Sequence, residues 1–244
     1  MKLKSKLIAL LSGIVITASF TGCSWRIAST DTKATIDKKV IDIDGAKKSD
    51  INIDMGVGEL IIDKSTDKMM EGTFTYTKAD WKPEVSYKVN EDEGSLSIKQ
   101  PSSINTNINM GKNEYKWELS LNKDIPTDLD IDMGVGEGNI NLREVNLKEL
   151  NIKSGVGEMT VDLSGNYKED VEVNIEGGVG ETTIYLPKDI GVRVRAEKGI
   201  GSIKAKGLKN ESNGVYVNDN YGKTKNSIDI EVEAGVGEIK LELK

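Results

Sequence analysis

The chain has no histidine, one cysteine, four prolines and 5% aromatic residues in 244. Without histidine, Ser-His-Asp and Cys-His catalysis are excluded. With one cysteine, neither an ordinary zinc site nor an intrachain disulfide can be assembled. Only carboxylate chemistry remains, and a glycosidase would need two acids across a cleft with pKa values pushed apart. The acids here recur at regular alternating positions, as on a solvated sheet, so the chain reads as a non-enzyme with no cofactor and no metal centre. Scarce aromatics beside 25 glycines favour a core of small and β-branched side chains.

Long apolar runs are also missing. LIALLSGIVITASF, residues 7–20, falls short of the roughly 18 residues that span a bilayer. It follows the cationic, acid-free MKLKSK and precedes Thr21-Gly22-Cys23, the order of a secretory leader. Phe20-Thr21-Gly22-Cys23 resembles the bacterial lipobox, with Phe20 where Leu is usual. The resemblance implies a signal peptide over residues 1–22, acyl chains such as palmitate on Cys23, and a polar tether over 23–35. The competing reading of Cys23 is a spare thiol. Two acyl chains suffice for stable attachment, so the expected location is the outer face of the bacterial cytoplasmic membrane, with the membrane itself as one partner. Loss of residues 1–22 removes Lys2, Lys4 and Lys6 and no acid, taking the net charge from −7 to −10. Such a surface does not seek nucleic acid.

What the chain has is a repeat. Gly-Val-Gly-Glu begins at Gly56, Gly134, Gly155, Gly178 and Gly235, and Gly199-Ile200-Gly201-Ser202 is a degenerate copy. The leading glycines are spaced by 78, 21, 23, 21 and 36 residues, a basic unit of 21 to 23 with two insertions. Periods in this range mark stacked architectures, in which each unit buries its apolar face only against its neighbours. Five residues before the first glycine stand Ile51, Leu129, Leu150, Val173, Val194 and Ile230, and three before it Ile53, Ile131, Ile152, Ile175, Ala196 and Val232. Polar residues occupy the positions between, giving a strand with one face inside. Beyond the second glycine (Gly58, Gly136, Gly157, Gly180, Gly201, Gly237) the apolar columns change parity, as in Ile62, Ile140 and Val161. Glycine permits the bulge or corner that this slip requires. Counted along the strand, the residue between the glycines, Val57, Val135, Val156, Val179, Ile200 or Val236, is in phase with the buried side and is expected to point inward.

The runs MGVGELIID, YKWELSL, DLDIDMGVGEGNINL, SGVGEMTVDL and GGVGETTIYL closely resemble the bacterial toast-rack family, relatives of adhesin-type domains and of LiaF-type envelope-stress proteins. The resemblance spans residues 36–244. It implies an all-β, β-solenoid-like stack of rungs, akin to a single-stranded β-helix, in exported or membrane-tethered proteins without catalytic residues to carry over. The chain lacks the membrane-helix module of the LiaF type.

Residues 36–125 are expected to form an N-terminal β region with a hairpin insertion, continuous with a repeat region over 126–244. Within the insertion FTYT, PEVSYKV, SLSIK and YKWELSL alternate and read as antiparallel hairpin strands. Tyr76, Trp81, Tyr87, Tyr115 and Trp117, with Phe74, are candidates for an exposed interaction surface; the competing assignment is core filling. The second insertion, around NESNGVYVNDNYGKTKN, reads as a surface excursion, and the terminal IKLELK as an uncapped edge strand. Glu59, Glu137, Glu158, Glu181 and Glu238 would stack into a row, either hydrogen-bonded and solvated or collecting calcium. Together these features predict a lipid-anchored envelope protein presenting a repetitive β surface to a protein partner, in envelope stress response or adhesion. The alternative is a module that binds, or more weakly cleaves, cell-wall glycan through the aromatic insertion.

Overall fold

The alternation becomes strands and almost nothing else. The computed structural model describes residues 33–102 and 113–244, so the leader, Cys23 and the tether to residue 32 lie outside the described residues. In chain order the strands are β1 (Thr35–Ile41), β2 (Lys48–Thr66), β3 (Met70–Tyr76), β4 (Glu84–Asn90), β5 (Glu93–Lys99), β6 (Tyr115–Asn122), β7 (Thr127–Asn141), β8 (Leu147–Asp162), β9 (Val171–Leu186), β10 (Gly191–Lys206), β11 (Lys209–Ser212), β12 (Val215–Val217) and β13 (Ser227–Leu243). All belong to one sheet, and the one helical element among the described residues is a 3-10 turn, Ala79–Trp81.

Each repeat unit is one long strand that runs through its own glycine elbow. β2, β7, β8, β9, β13 and β10 lie side by side in that order, parallel and in register. Gly58 therefore faces Gly136, then Gly157, Gly180, Gly237 and Gly201 in adjacent tiers. Before the elbow Ile51, Ile53 and Met55 are buried, and after it Leu60 and Ile62, in one core shared with Leu150, Ile152 and Val161. The bend thus turns two arms of the same strand over a common interior. Each large aliphatic buried there contributes about 1.5–3 kcal/mol relative to exposure, and the stack repeats that gain at every tier.

Two expectations fail at the elbow and at the chain end. Val135, Val156, Val179 and Val236 are 44–50% exposed and Ile200 is 72% exposed, so the residue between the glycines faces outward, not inward. The second glycines have φ between +144° and +151°, a region essentially closed to L side chains. A strand turning there places two successive residues on the outside of the bend, and parity no longer counts across it. The glycines also allow the tiers to close, since a Cβ on Gly157 would overlap the Gly136 carbonyl oxygen and one on Gly155 the Gly134 carbonyl oxygen. The terminal IKLELK is not an edge, because β13 is paired by β9 on one side and β10 on the other. The second insertion, before β13, supplies the slack for the chain to re-enter the sheet, and it carries the β11–β12 hairpin that pairs with Arg193–Arg195 of β10. The edge elbow is the degenerate one, Gly199–Ser202.

The first insertion stands in for one missing unit. β5 runs parallel to the first arm of β2 (residues 48–54) and β6 parallel to the second (59–66), two short strands in place of one bent one. Of the expected antiparallel pairings, β4 with β5 and β3 with β6 form, and β1 adds antiparallel to β3. β2 and β7 pair along both arms, so residues 36–125 and 126–244 share a sheet and a core.

Candidate functional site

The aromatic residues chosen as an interaction surface lie in the core. Tyr76, Trp81, Tyr115 and Trp117 are buried, as is Phe74. Phe74 and Trp117 meet edge to face at 5.8 Å, Trp81 and Tyr115 at 6.0 Å, and Tyr115 lies 5.7 Å from Trp117. β3 and β6 aim Phe74, Tyr76, Tyr115 and Trp117 inward and the 3-10 turn brings in Trp81, so they are not available as an exposed stacking platform. Tyr87 is half-buried and donates to the Ile43 carbonyl at 2.7 Å; burial raises the pKa of its phenol. Among the described residues the buried Tyr115 hydroxyl and Trp117 Nε1 meet no partner at hydrogen-bonding geometry; burial pushes the Tyr115 phenol well above its usual range, and the nearby Trp117 indole only partly offsets this.

The gap between β5 and β6 falls at the elbow of β2, where no strand among the described residues pairs with Val57 on that side. A side chain fills it. Gln100 Oε1 accepts from the Val57 N–H at 2.8 Å, and Gln100 Nε2 donates to the Val57 carbonyl at 3.2 Å. The amide thus mimics the missing peptide of a neighbouring strand, satisfying both groups at once. Nothing in SLSIKQP marks Gln100 for this role except its place, directly after a strand and before Pro101.

Around the elbow the outer face carries charge in rows. Parallel register brings each residue beside its counterpart one tier away, so the glutamates stack as expected. Lys240 reaches Glu181 at 2.6 Å and Glu238 at 3.4 Å, Lys204 reaches Glu238 at 2.6 Å, and Lys116 reaches Glu59 at 3.8 Å. Lys204, then the Ser202 hydroxyl at 2.7 Å, hold the Glu238 carboxyl down to about 2. The partners this row finds are thus mainly ammonium groups from neighbouring positions. Glu137 and Glu158, paired in register on β7 and β8, are exposed and make no ion pair among the described residues. Closer to the strand starts, Asn174 donates to Asn151 at 3.0 Å and Asn151 to Asp130 at 2.9 Å, an amide ladder of the same register. Among the described residues no three acids, histidines or cysteines cluster as a metal centre would require, and no helix is long and apolar enough to cross a membrane.

The arrangement offers a long, regular outer surface of rows and a bent edge. Comparison with curated proteins returns no match. Among solved structures, a candidate cell adhesion protein from Clostridium sporogenes is 45% identical with a TM-score of 0.85, over 87% of this chain and all of its own. A candidate adhesin from Bacteroides fragilis, covering 86% of this chain and 97% of its own, is 18% identical with a TM-score of 0.34, too distant to bear on this chain. The profile for the C-terminal region of LiaF, the cell wall-active antibiotics response protein, matches residues 134–241, which include five of the six elbows. The clostridial likeness and the LiaF profile fit a cell-envelope protein. The profile for the N-terminal domain of toast_rack matches residues 29–185, over half of the sequence and four elbow strands, and with the clostridial likeness this makes the chain a member of the toast-rack family.

Proposed function

We propose that the protein is a non-enzymatic, lipid-anchored component of the bacterial envelope. It offers its stacked outer face to a protein partner, in envelope stress response or in adhesion. The observation that carries this reading is the in-register elbow stack, which sets equivalent side chains at about 4.8 Å intervals across six strands, identical in five of them. Such a surface suits a partner that spans several tiers. The family profiles, named for toast_rack and for an antibiotic response at the cell wall, and the clostridial protein, named for cell adhesion, point to the same setting. The sequence around Cys23 supports the anchor, and burial of the aromatic cluster removes the feature on which the glycan alternative rested.

Two measurements test the proposal in cells. Metabolic labelling with an alkyne fatty acid should mark the wild type and not Cys23→Ser, which should appear in the medium; equal labelling of the two overturns the anchor. Photo-crosslinking groups placed on the outer face should trap envelope proteins, and trapping of none from any position overturns protein presentation.

A further inference from the structure

The elbow residues form a single exposed row. Val57, Val135, Val156, Val179, Val236 and Ile200 face one another in register across six adjacent strands, a ridge about 24 Å long at 4.8 Å per tier. Val57 is half-buried beside Gln100 and the other five are exposed. A β-branched side chain suits a strand, but shape alone does not explain the row. Threonine meets the same conformational demand and occupies half-buried positions that alternate with the core residues, such as Thr160 and Thr183 on these strands, whereas the elbow position is aliphatic in all six. A contiguous aliphatic row left in solvent marks a contact surface.

Its flanks narrow the occupant. Two residues beyond each valine lies the glutamate row, where Glu137 and Glu158 lack ion-pair partners among the described residues. Three residues before lie the exposed Asp132, Lys153, Glu176 and Glu233, where Lys153 reaches Glu176 at 3.8 Å and the acids outnumber the one lysine. A second copy docked ridge to ridge would set carboxylate rows against each other, and an anionic lipid surface or a nucleic acid would meet the same repulsion.

We infer that the Val135–Val156–Val179 ridge is the docking line for a polypeptide segment that presents an apolar stripe bordered by lysine or arginine. The inference rests on the protein-presentation reading and names the partner's chemistry. The stripe covers the valine methyls while its cations meet the unpaired glutamates. Binding is therefore strong at low salt and weakens as salt rises.

The test uses the compact unit from Thr32 to Lys244, whose counterpart is the whole clostridial chain in the solved structure. The probe is an 18-residue helix of leucine and lysine only, titrated by calorimetry, with a leucine–glutamate helix as control. The lysine helix should bind and the glutamate helix should not. Val156→Ser with Val179→Ser should weaken binding at least tenfold, with an unchanged melting temperature showing that the stack persists. No binding, equal binding of both helices, or equal affinity for the Ser variant overturns the docking line. Photo-crosslinkers at 156 and at the remote loop residue Lys168 separate this from the wider reading. Crosslinks from 156 to an apolar segment rich in lysine or arginine support the inference. Crosslinks from 168 alone overturn it while protein presentation stands, and crosslinks from no outer-face position overturn both.

Discussion

At the β2 end of the stack the elbow is paired on both sides, by β7 and by the Gln100 amide; at the β10 end β13 pairs one side, and among the described residues no strand covers the other. The same four-residue turn therefore lives in two environments. At the closed end Val57 is half-buried, while at the open end Ile200 is the most exposed of the column. The open end also departs from the repeat, with Ser202 replacing glutamate and Lys198, Lys204 and Lys206 along the strand. Lysines on a free edge discourage further pairing, because a second strand would have to desolvate or neutralise them. The stack thus terminates differently at its two ends: a side chain imitates a strand at one, and charge deters a strand at the other. The β11–β12 hairpin closes the first arm of β10 and stops short of the elbow.

Placing the same lesion inside the stack and at its open end breaks this comparison most severely. Gly157→Ala forces a Cβ into the Gly136 carbonyl at a φ of +146°. With strands clamped on both sides there is nowhere to yield, so the expected loss is about 4 kcal/mol or more, enough to prevent folding. Gly201→Ala produces the same overlap, with the Gly237 carbonyl, but β10 can lift away from the stack at its free side. Its loss should be smaller, with the second arm of β10 losing amide protection first. Urea unfolding with hydrogen exchange measures both, and equal losses would mean that the edge position gives no relief.

Gln100→Ala tests the closed end. It leaves the Val57 N–H and carbonyl without their protein partner at a partly buried elbow, at a cost of about 2 kcal/mol. Gln100→Glu should not rescue it, because a carboxylate accepts from the N–H but cannot donate to the carbonyl. Chemical denaturation of the three proteins decides this, and a Glu variant as stable as wild type would show that the donor half of the pair is idle.

Much of this architecture is legible in the sequence because the two columns before each elbow alternate strictly and because the spacing repeats. Legibility stops where side-chain direction depends on a backbone angle that letters do not carry. Counting by twos through Gly-Val-Gly places Val156 inside; a glycine at φ near +146° places it outside. The order of the last two strands is hidden too, since a spacing of 36 residues says only that chain is available. The weak copy at Gly199 and its neighbouring lysines were the signal that β10, and not β13, forms the edge. All the aromatic residues but Trp81 could be assigned to strands, and alternation offered both an inward and an outward face for them; the structure takes the inward one for all but the half-buried Tyr87. Gln100 had no signal at all, since its role exists only once β5 and β6 have divided one tier between them.

Tyr115→Phe sharpens the picture of how β6 fills its half of that tier. The phenol oxygen is buried with no well-formed hydrogen bond among the described residues, the Trp117 indole being its nearest polar neighbour, so its desolvation cost is poorly offset. Its removal should stabilise the fold by about 1 kcal/mol, read as a raised melting temperature. A destabilised variant would mean that the hydroxyl has a partner in solution.

The smallest expected effect lies at the start of the first arm, where acids from successive tiers crowd together. Asp50, Asp128 and Glu149 are neighbours across β2, β7 and β8. Burial, then the charges of Glu149 and Asp50, raise the Asp128 pKa above 3.8, and burial, then Asp130, raise that of Asp50. A raised folded-state pKa means that the folded chain binds protons more readily than the unfolded one between the two values. Stability therefore falls as pH rises through that window and stays lower above it. Asp128→Asn removes the charge, so it should stabilise the protein at neutral pH by less than about 0.5 kcal/mol after screening by solvent. That gain should vanish below the unfolded-state pKa, where wild type and variant are both neutral, and should shrink in high salt. Melting temperatures of the pair across pH 3 to 7 give the answer. A difference that persists unchanged into acid would assign the effect to packing or to the amide's hydrogen bonds, and would remove charge crowding at Asp128 as its cause.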